Sequence, residues 1–200
     1  NGIHGVGVAD TAGVFILGNY IGTDATRLIA KGNAGAGVQF SSALTVTSGA
    51  VGGINAGEGN LIAFNNGDGV YVKDATITGV KILGNSISGN TGLGIDFGTD
   101  GVTANDSADS DSGVNNLQNF PVLTSASTNG SNQLVMTGTF NGAPNSFYRV
   151  EFFASTSPDG SGYGEGQRYL GFVNLPTDGA GNASGSFTLN VAVAVGESIS

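Results

Sequence analysis

The sequence predicts an all-β protein: a short parallel β-helix, then a small antiparallel β-sandwich. Three observations predict it. Glycine supplies 36 of 200 residues with no period of three, and charged residues only 10%, a composition that favours tight turns and stacked backbone over helices. The chain writes GVFILGNYI at 13–21 and GVKILGNSI at 79–87, 66 residues apart, with seven of nine positions the same. After residue 97 the short repeated units give way to longer alternating segments.

The repeats come first in the chain. Gly-Val-Gly-Val at 5–8, Gly-Val-Gln-Phe at 37–40, Gly-Val-Tyr-Val at 69–72 and Gly-Ile-Asp-Phe at 94–97 form one series, spaced 32, 32 and 25. Gly18-Asn19-Tyr20-Ile21, Gly59-Asn60-Leu61-Ile62 and Gly84-Asn85-Ser86-Ile87 form a second, spaced 41 and 25. About 25 residues holding two or three short strands make one coil of a β-helix, and the longer spacings are coils with loops inserted at a corner. One coil cannot bury its own apolar face, so coils stack. Residues 1–97 therefore read as about four coils. Asn19, Asn60 and Asn85 share one repeat position, where stacked side chains can satisfy turn backbone groups. Sugar binding by these asparagines is the alternative.

Residues 98–119 hold no long apolar segment and read as an acidic linker. Residues 120–200 carry strand signals at Gln133–Phe140, Phe147–Ala154, Arg168–Leu175 and Ser186–Val193, with Asn141-Gly142, Asp159-Gly160 and Asp178-Gly179 as turns. This is a sandwich, immunoglobulin-like in outline. Glu197–Ser200 reads as part of a penultimate strand, so the closing strands are expected to be absent, and Asn1 reads as a cut or processed start.

The net charge of −9 argues against nucleic acid, which calls for a basic stripe. No apolar run reaches bilayer length, and no basic amphipathic helix or lipidation motif is visible. Cysteine is absent, which removes disulfides and thiolate chemistry.

GNYIGTDAT, GNLIAFN, GIDFGTDGVTANDSADSDSGVNNLQNFPVLTSAS, VEFFAS and GYGEGQRYLG together span nearly the whole chain. They resemble secreted bacterial right-handed parallel β-helix repeat proteins that join the helix to an Ig-like module. The resemblance implies that fold and an extracellular or cell-surface setting.

The densest chemistry is acidic. Five of the fifteen acids lie in residues 96–111, and no Lys or Arg occurs between Lys81 and Arg149. Hard oxygen ligands on a Gly-punctuated loop suit Ca²⁺, so Asp100, Asp106, Asp109 and Asp111 are the candidate ligands. The terminal Glu of an EF-hand is missing, and a solvated acidic linker is the alternative. Catalytic residues are not assigned. His4 reads as a corner residue, and Asp68, Asp74, Lys73 and Lys81 read as alternating surface charges rather than an acid–base cluster. Asp96 with Asp100 could pair for glycoside hydrolysis, but their place beside the linker favours the metal or a solvated acidic segment. Phe147, Tyr148, Phe152, Phe153, Tyr163 and Tyr169 read mainly as sandwich core. Asn105, Asn129 and Asn182 open Asn-x-Ser sequons, which mark exposed loops.

The function expected first is a non-catalytic extracellular structural or adhesive protein. Unpaired strand edges at both ends would let it self-associate head to tail as a filament subunit, or join further domains of a longer chain. A carbohydrate-binding module pair, or a fragment of a polysaccharide lyase or hydrolase, stands second.

Overall fold

The computed structural model describes residues 3–98, 101–129 and 132–200. No α-helix occurs among them. The first ten strands are β1 (Val6–Ala9), β2 (Val14–Ile16), β3 (Tyr20–Ile21), β4 (Val38–Ser41), β5 (Gly49–Gly52), β6 (Leu61–Ala63), β7 (Val70–Val72), β8 (Val80–Leu83), β9 (Ser86–Ser88) and β10 (Ile95–Phe97). They form three parallel sheets, ordered β1-β4-β7-β10, β2-β5-β8 and β3-β6-β9. Chain order runs once round all three sheets before returning to the first, which is a parallel β-helix.

The register explains the repeated peptides. Val14 pairs Gly49, which pairs Val80, and Tyr20 pairs Leu61, which pairs Ser86. GVFILGNYI and GVKILGNSI are therefore the same corner two coils apart, with the looped-out second coil between them. Inward positions stack in the same register: Val8 on Phe40 on Val72, Ile16 on Val51 on Ile82, and Ile21 on Ile62 on Ile87. Nearly all of these are buried in one continuous core, as stacking requires when no single coil can cover its apolar side chains. The helix comprises three complete coils and only the first strand of a fourth.

The sandwich holds β11 (Val122–Thr128), β12 (Leu134–Asn141), β13 (Phe147–Ser155), β14 (Arg168–Pro176), β15 (Asn182–Leu189) and β16 (Ser198–Ile199). They form two antiparallel sheets, β11-β12-β15 and β14-β13-β16. Leu134, Met136 and Phe140 from one sheet meet Val150, Phe152, Leu170 and Leu175 from the other in a second core. Two strand expectations need correction. β11 carries no strong alternation and was not expected. β15 starts and ends four residues earlier than Ser186–Val193, because its pairing stops where β12 begins, at Leu134 opposite Leu189. Val191 and Val193 continue the alternation and pack on the core without a strand to pair with. Of the three turns, Asp159-Gly160 lies in the loop joining the paired strands β13 and β14. The other two carry the chain from one sheet to the other.

Candidate functional site

The asparagine ladder forms as its residue positions predict. Asn60 Oδ1 accepts the Asn19 backbone N–H at 2.9 Å and its Nδ2 at 3.1 Å. Asn85 Oδ1 does the same for Asn60, at 3.0 and 2.9 Å. Each rung thus uses one oxygen to satisfy a backbone donor and a side-chain donor of the coil before it. Asn60 and Asn85 are buried, so the ladder is internal.

A second ladder was not foreseen. Asn33 donates its N–H and Nδ2 to Asn65 Oδ1 at 3.2 and 2.7 Å. Asn65 donates likewise to Asn90 Oδ1 at 3.1 and 2.8 Å. The signal was present: Asn33, Asn65 and Asn90 each open an N-x-G-x-G motif four residues ahead of Gly37, Gly69 and Gly94.

These ladders have direction, and the last rung is left with two donors and no following coil. Glu165, from the sandwich, supplies the missing acceptor. Its Oε1 accepts Asn90 N–H at 3.2 Å and Asn90 Nδ2 at 2.9 Å, the same pair of bonds that an asparagine of a further coil would accept. Its Oε2 accepts the Gly89 N–H. The rest of the fourth coil is assembled in the same way. Gly166 C=O accepts Ile87 N–H at 2.8 Å, and Gln167 C=O accepts Ser86 Oγ, so 165–167 stand over β9. On the neighbouring face Asn115 donates its N–H to Ile77 C=O, and its side chain bonds Val80 N–H and C=O at 2.8 and 3.1 Å. Glu151 Oε2 accepts Gly84 N–H at 2.7 Å, while its other oxygen pairs with Arg149 at 2.8 Å. Val114, in the Val114–Leu117 turn, is buried in the helix core. β10, the acidic segment and the sandwich together make one composite coil.

Glu165 is 6% exposed. Burial lifts its carboxyl above the ordinary glutamate range. The Asn90 and Gly89 donors pull it back in part, and Asp159 adds a small push upward.

The predicted metal ligands divide in two. Asp100 lies outside the described residues. Asp106, Asp109 and Asp111 come together, with ligand oxygens all within 4.8 Å of one another. Ala108 and Asp109 adopt left-handed backbone, φ 62° and 52°, which curls the segment so that its carboxylates converge. The curl is pinned to the sandwich: Asn141 Oδ1 accepts Ala108 N–H. Buried Asn119 receives a bond from Asp106 N–H at 3.0 Å and donates to Asn141 C=O at 2.8 Å. Asp109 Oδ1 accepts Asn119 N–H at 2.8 Å, and both Asp106 oxygens bond Ser110. Asp111 Oδ1 is enclosed and has no hydrogen-bond partner. Ser110 holds the Asp106 carboxyl below the usual range. Burial, then the charges of Asp106 and Asp109, push Asp111 upward. Ca²⁺ binds oxygens at about 2.3–2.6 Å, so ligands on opposite sides of it lie about 4.6–5.2 Å apart. The three carboxylates fit that span, and the enclosed Asp111 oxygen is the atom a cation would complete.

Other candidates take structural places. His4 Nδ1 accepts Ala36 N–H at 3.1 Å. Asp68 accepts Leu93 N–H and Asp74 accepts Ser42 N–H, so these carboxylates serve coil corners, and neither forms an ion pair with Lys73 or Lys81 among the described residues. Asp96 is buried on β10, in register with Tyr71; burial first, then Asp96, raises the Tyr71 hydroxyl. Phe152 is core and Tyr148 packs against it, Phe153 meets Tyr169 edge-on, and Phe147 stands 82% exposed.

No family model matches the chain, and no curated protein matches it.

Proposed function

We propose that this is a non-catalytic extracellular structural protein, a stiff spacer or adhesive unit of the kind its sequence resembles among secreted bacterial β-helix repeat proteins. The observation that carries the reading is the composite fourth coil. A chain whose second module completes the last turn of its first has no free hinge there, and its buried ladder asparagines and Glu165 are hydrogen-bonded within the fold rather than aimed at a substrate. Asp106, Asp109 and Asp111 are the residues that would hold Ca²⁺, which would supply positive charge to a segment, 96–111, that holds no Lys or Arg. Small-angle X-ray scattering tests the spacer role: the profile should fit one rigid body, unchanged over a wide range of salt. A profile that needs independently moving modules would overturn it.

The carbohydrate reading finds its nearest footing on the outer face of the first sheet, where half-buried Gln39 and Tyr71 stand in register. Binding to a panel of acidic and neutral polysaccharides that is lost in Tyr71→Ala would favour it. The composite coil also bears on assembly. The last coil is already covered, so coil-on-coil stacking has no surface to use at that end, while β1, β2 and β3 of the first coil each pair on one side only among the described residues.

A further inference from the structure

We infer that Asn66–Gly67 is a site of spontaneous covalent modification, where the asparagine amide is lost and aspartate and isoaspartate form. The chemistry needs only water. The Gly67 backbone nitrogen gives up its proton and attacks Asn66 Cγ. The new N–Cγ bond closes a succinimide ring, and Nδ2 leaves as ammonia. Water then opens the ring at either carbonyl, giving aspartate or an isoaspartyl main chain that runs through Cγ. Glycine as the following residue removes the Cβ that would crowd the attack. The corner itself does not require asparagine there. The equivalent residues of the coils before and after are Ala34 and Thr91, and Asn66 N–H bonds Asn33 C=O just as Thr91 N–H bonds Asn65 C=O, both at 2.9 Å.

The fold leaves this pair open and closes another. Two Asn-Gly pairs lie wholly within the described residues, Asn66–Gly67 and Asn141–Gly142. In the second, Asn141 C=O accepts Asn119 Nδ2 at 2.8 Å and Gly142 N–H donates to Gly181 C=O at 2.9 Å. The Asn141 side chain is held too, its Oδ1 by Ala108 N–H and its Nδ2 by Asn182 Oδ1 at 2.7 Å. In the first, neither Asn66 C=O nor Gly67 N–H has a hydrogen-bond partner among the described residues. Asn66 is exposed, and its side chain bonds only Thr91 Oγ1 among them, at 3.4 Å. The flanking groups are tied, Asn66 N–H to Asn33 and Gly67 C=O to Gly92 N–H at 3.0 Å. Freedom is therefore confined to the peptide unit and the amide that react.

Either product loads the middle coil. A carboxylate at position 66 stands two residues from Asp68 in a chain that already carries −9, and like charges this close repel. Isoaspartate also inserts one carbon into the main chain directly after Asn65, whose side chain bonds both Asn33 and Asn90. Stacked positions depend on each corner returning the chain to the same phase, so the added atom presses on the second ladder. The inference goes beyond the spacer reading and stands or falls apart from it.

Ageing the whole chain for weeks at mildly alkaline pH, then mapping its peptides by mass spectrometry, tests it. Asn66 should lose its amide faster than Asn141 by about tenfold or more, because Asn141–Gly142 must first break its hydrogen bonds. In strong denaturant the two pairs should convert at similar rates. Aged wild type should melt below fresh protein, and aged Asn66→Gln, whose longer side chain closes the ring far more slowly, should lose less. An intact Asn66 amide in the aged folded chain overturns the site. Equal rates at the two pairs in the folded chain, or very unequal rates in denaturant, overturn the part played by the fold. An aged wild type whose melting temperature falls no further than that of aged Asn66→Gln overturns the effect on the corner. The rigid scattering profile of the spacer reading would survive each of these results.

Discussion

At the residue scale, an asparagine oxygen that serves two donors of the coil before it sets the cost of losing it. Asn60→Ala would leave the Asn19 N–H without its acceptor and remove the donor to Ile16 C=O. It should cost about 1–3 kcal/mol in chemical denaturation. Asn65→Ala should cost as much, because the second ladder is built from the same bonds. Glu165 differs in carrying a charge. Its folded pKa is raised above the usual value of 4.5, so its contribution is fully present below that value and is lost as pH rises through the folded pKa. Wild type should therefore gain stability relative to Glu165→Gln as pH falls from neutral toward 4.5. A constant difference across that window, measured by denaturant titration, would contradict burial as the dominant cause. The first ladder was legible because its asparagines follow glycines inside a visible repeat. The role of Glu165 was not, since nothing in Glu165-Gly166-Gln167 resembles a rung; only its position in space makes it one.

At the element scale, coil geometry was legible because inter-coil pairing is in register, so equal spacings in sequence become stacked positions. Insertions did not hide it: they leave the sheet at corners and return to the same phase. The corners themselves are strict. Gly22 sits at φ 86°, and a Cβ there would collide with Ala63 C=O and the Asn65 side chain. Gly22→Ala thus combines a left-handed backbone with a backbone clash against a ladder residue. It should destabilise by more than about 1 kcal/mol, whereas Gly7→Ala, which meets open space on a strand, should lie within about 0.5 kcal/mol of wild type. Equal midpoints for the two variants would refute the corner argument. The sandwich strands were less legible. β11 is VLTSAST, mostly exposed, and an edge strand with little burial leaves a weak alternation signal. The 190–193 stretch alternates without pairing, because apolar alternation reports burial on one side and not the presence of a neighbouring strand.

At the scale of the whole molecule, the acidic segment is held on both sides. Asn115 and Val114 belong to the helix end, while Asn119 and Ala108 are tied to Asn141 of the sandwich. A cation at Asp106, Asp109 and Asp111 would therefore stabilise the joint rather than a free loop. Without one, Asp111 is driven upward by enclosure and by its two acidic neighbours. Its sign matches that of Glu165: the contribution is present below the usual 3.8 and lost as pH rises through the folded value. At neutral pH the cation-free joint thus bears the repulsion of its ionised carboxylates, which bound calcium would relieve. Two consequences separate a site from a merely acidic surface. Calcium at a hundredfold excess over its Kd should stabilise by about 2.7 kcal/mol, or about 5–10 °C in melting temperature for a chain of this size, and this increment should shrink as pH falls toward 4. Asp111→Asn should behave in the opposite way in the two states, melting higher than wild type in chelator and failing to respond to calcium. Magnesium, which demands tighter octahedral geometry, should raise the melting temperature less. If wild type and Asp111→Asn show the same melting curve in chelator and in millimolar calcium, the three carboxylates are a solvated surface and the joint is held by the composite coil alone.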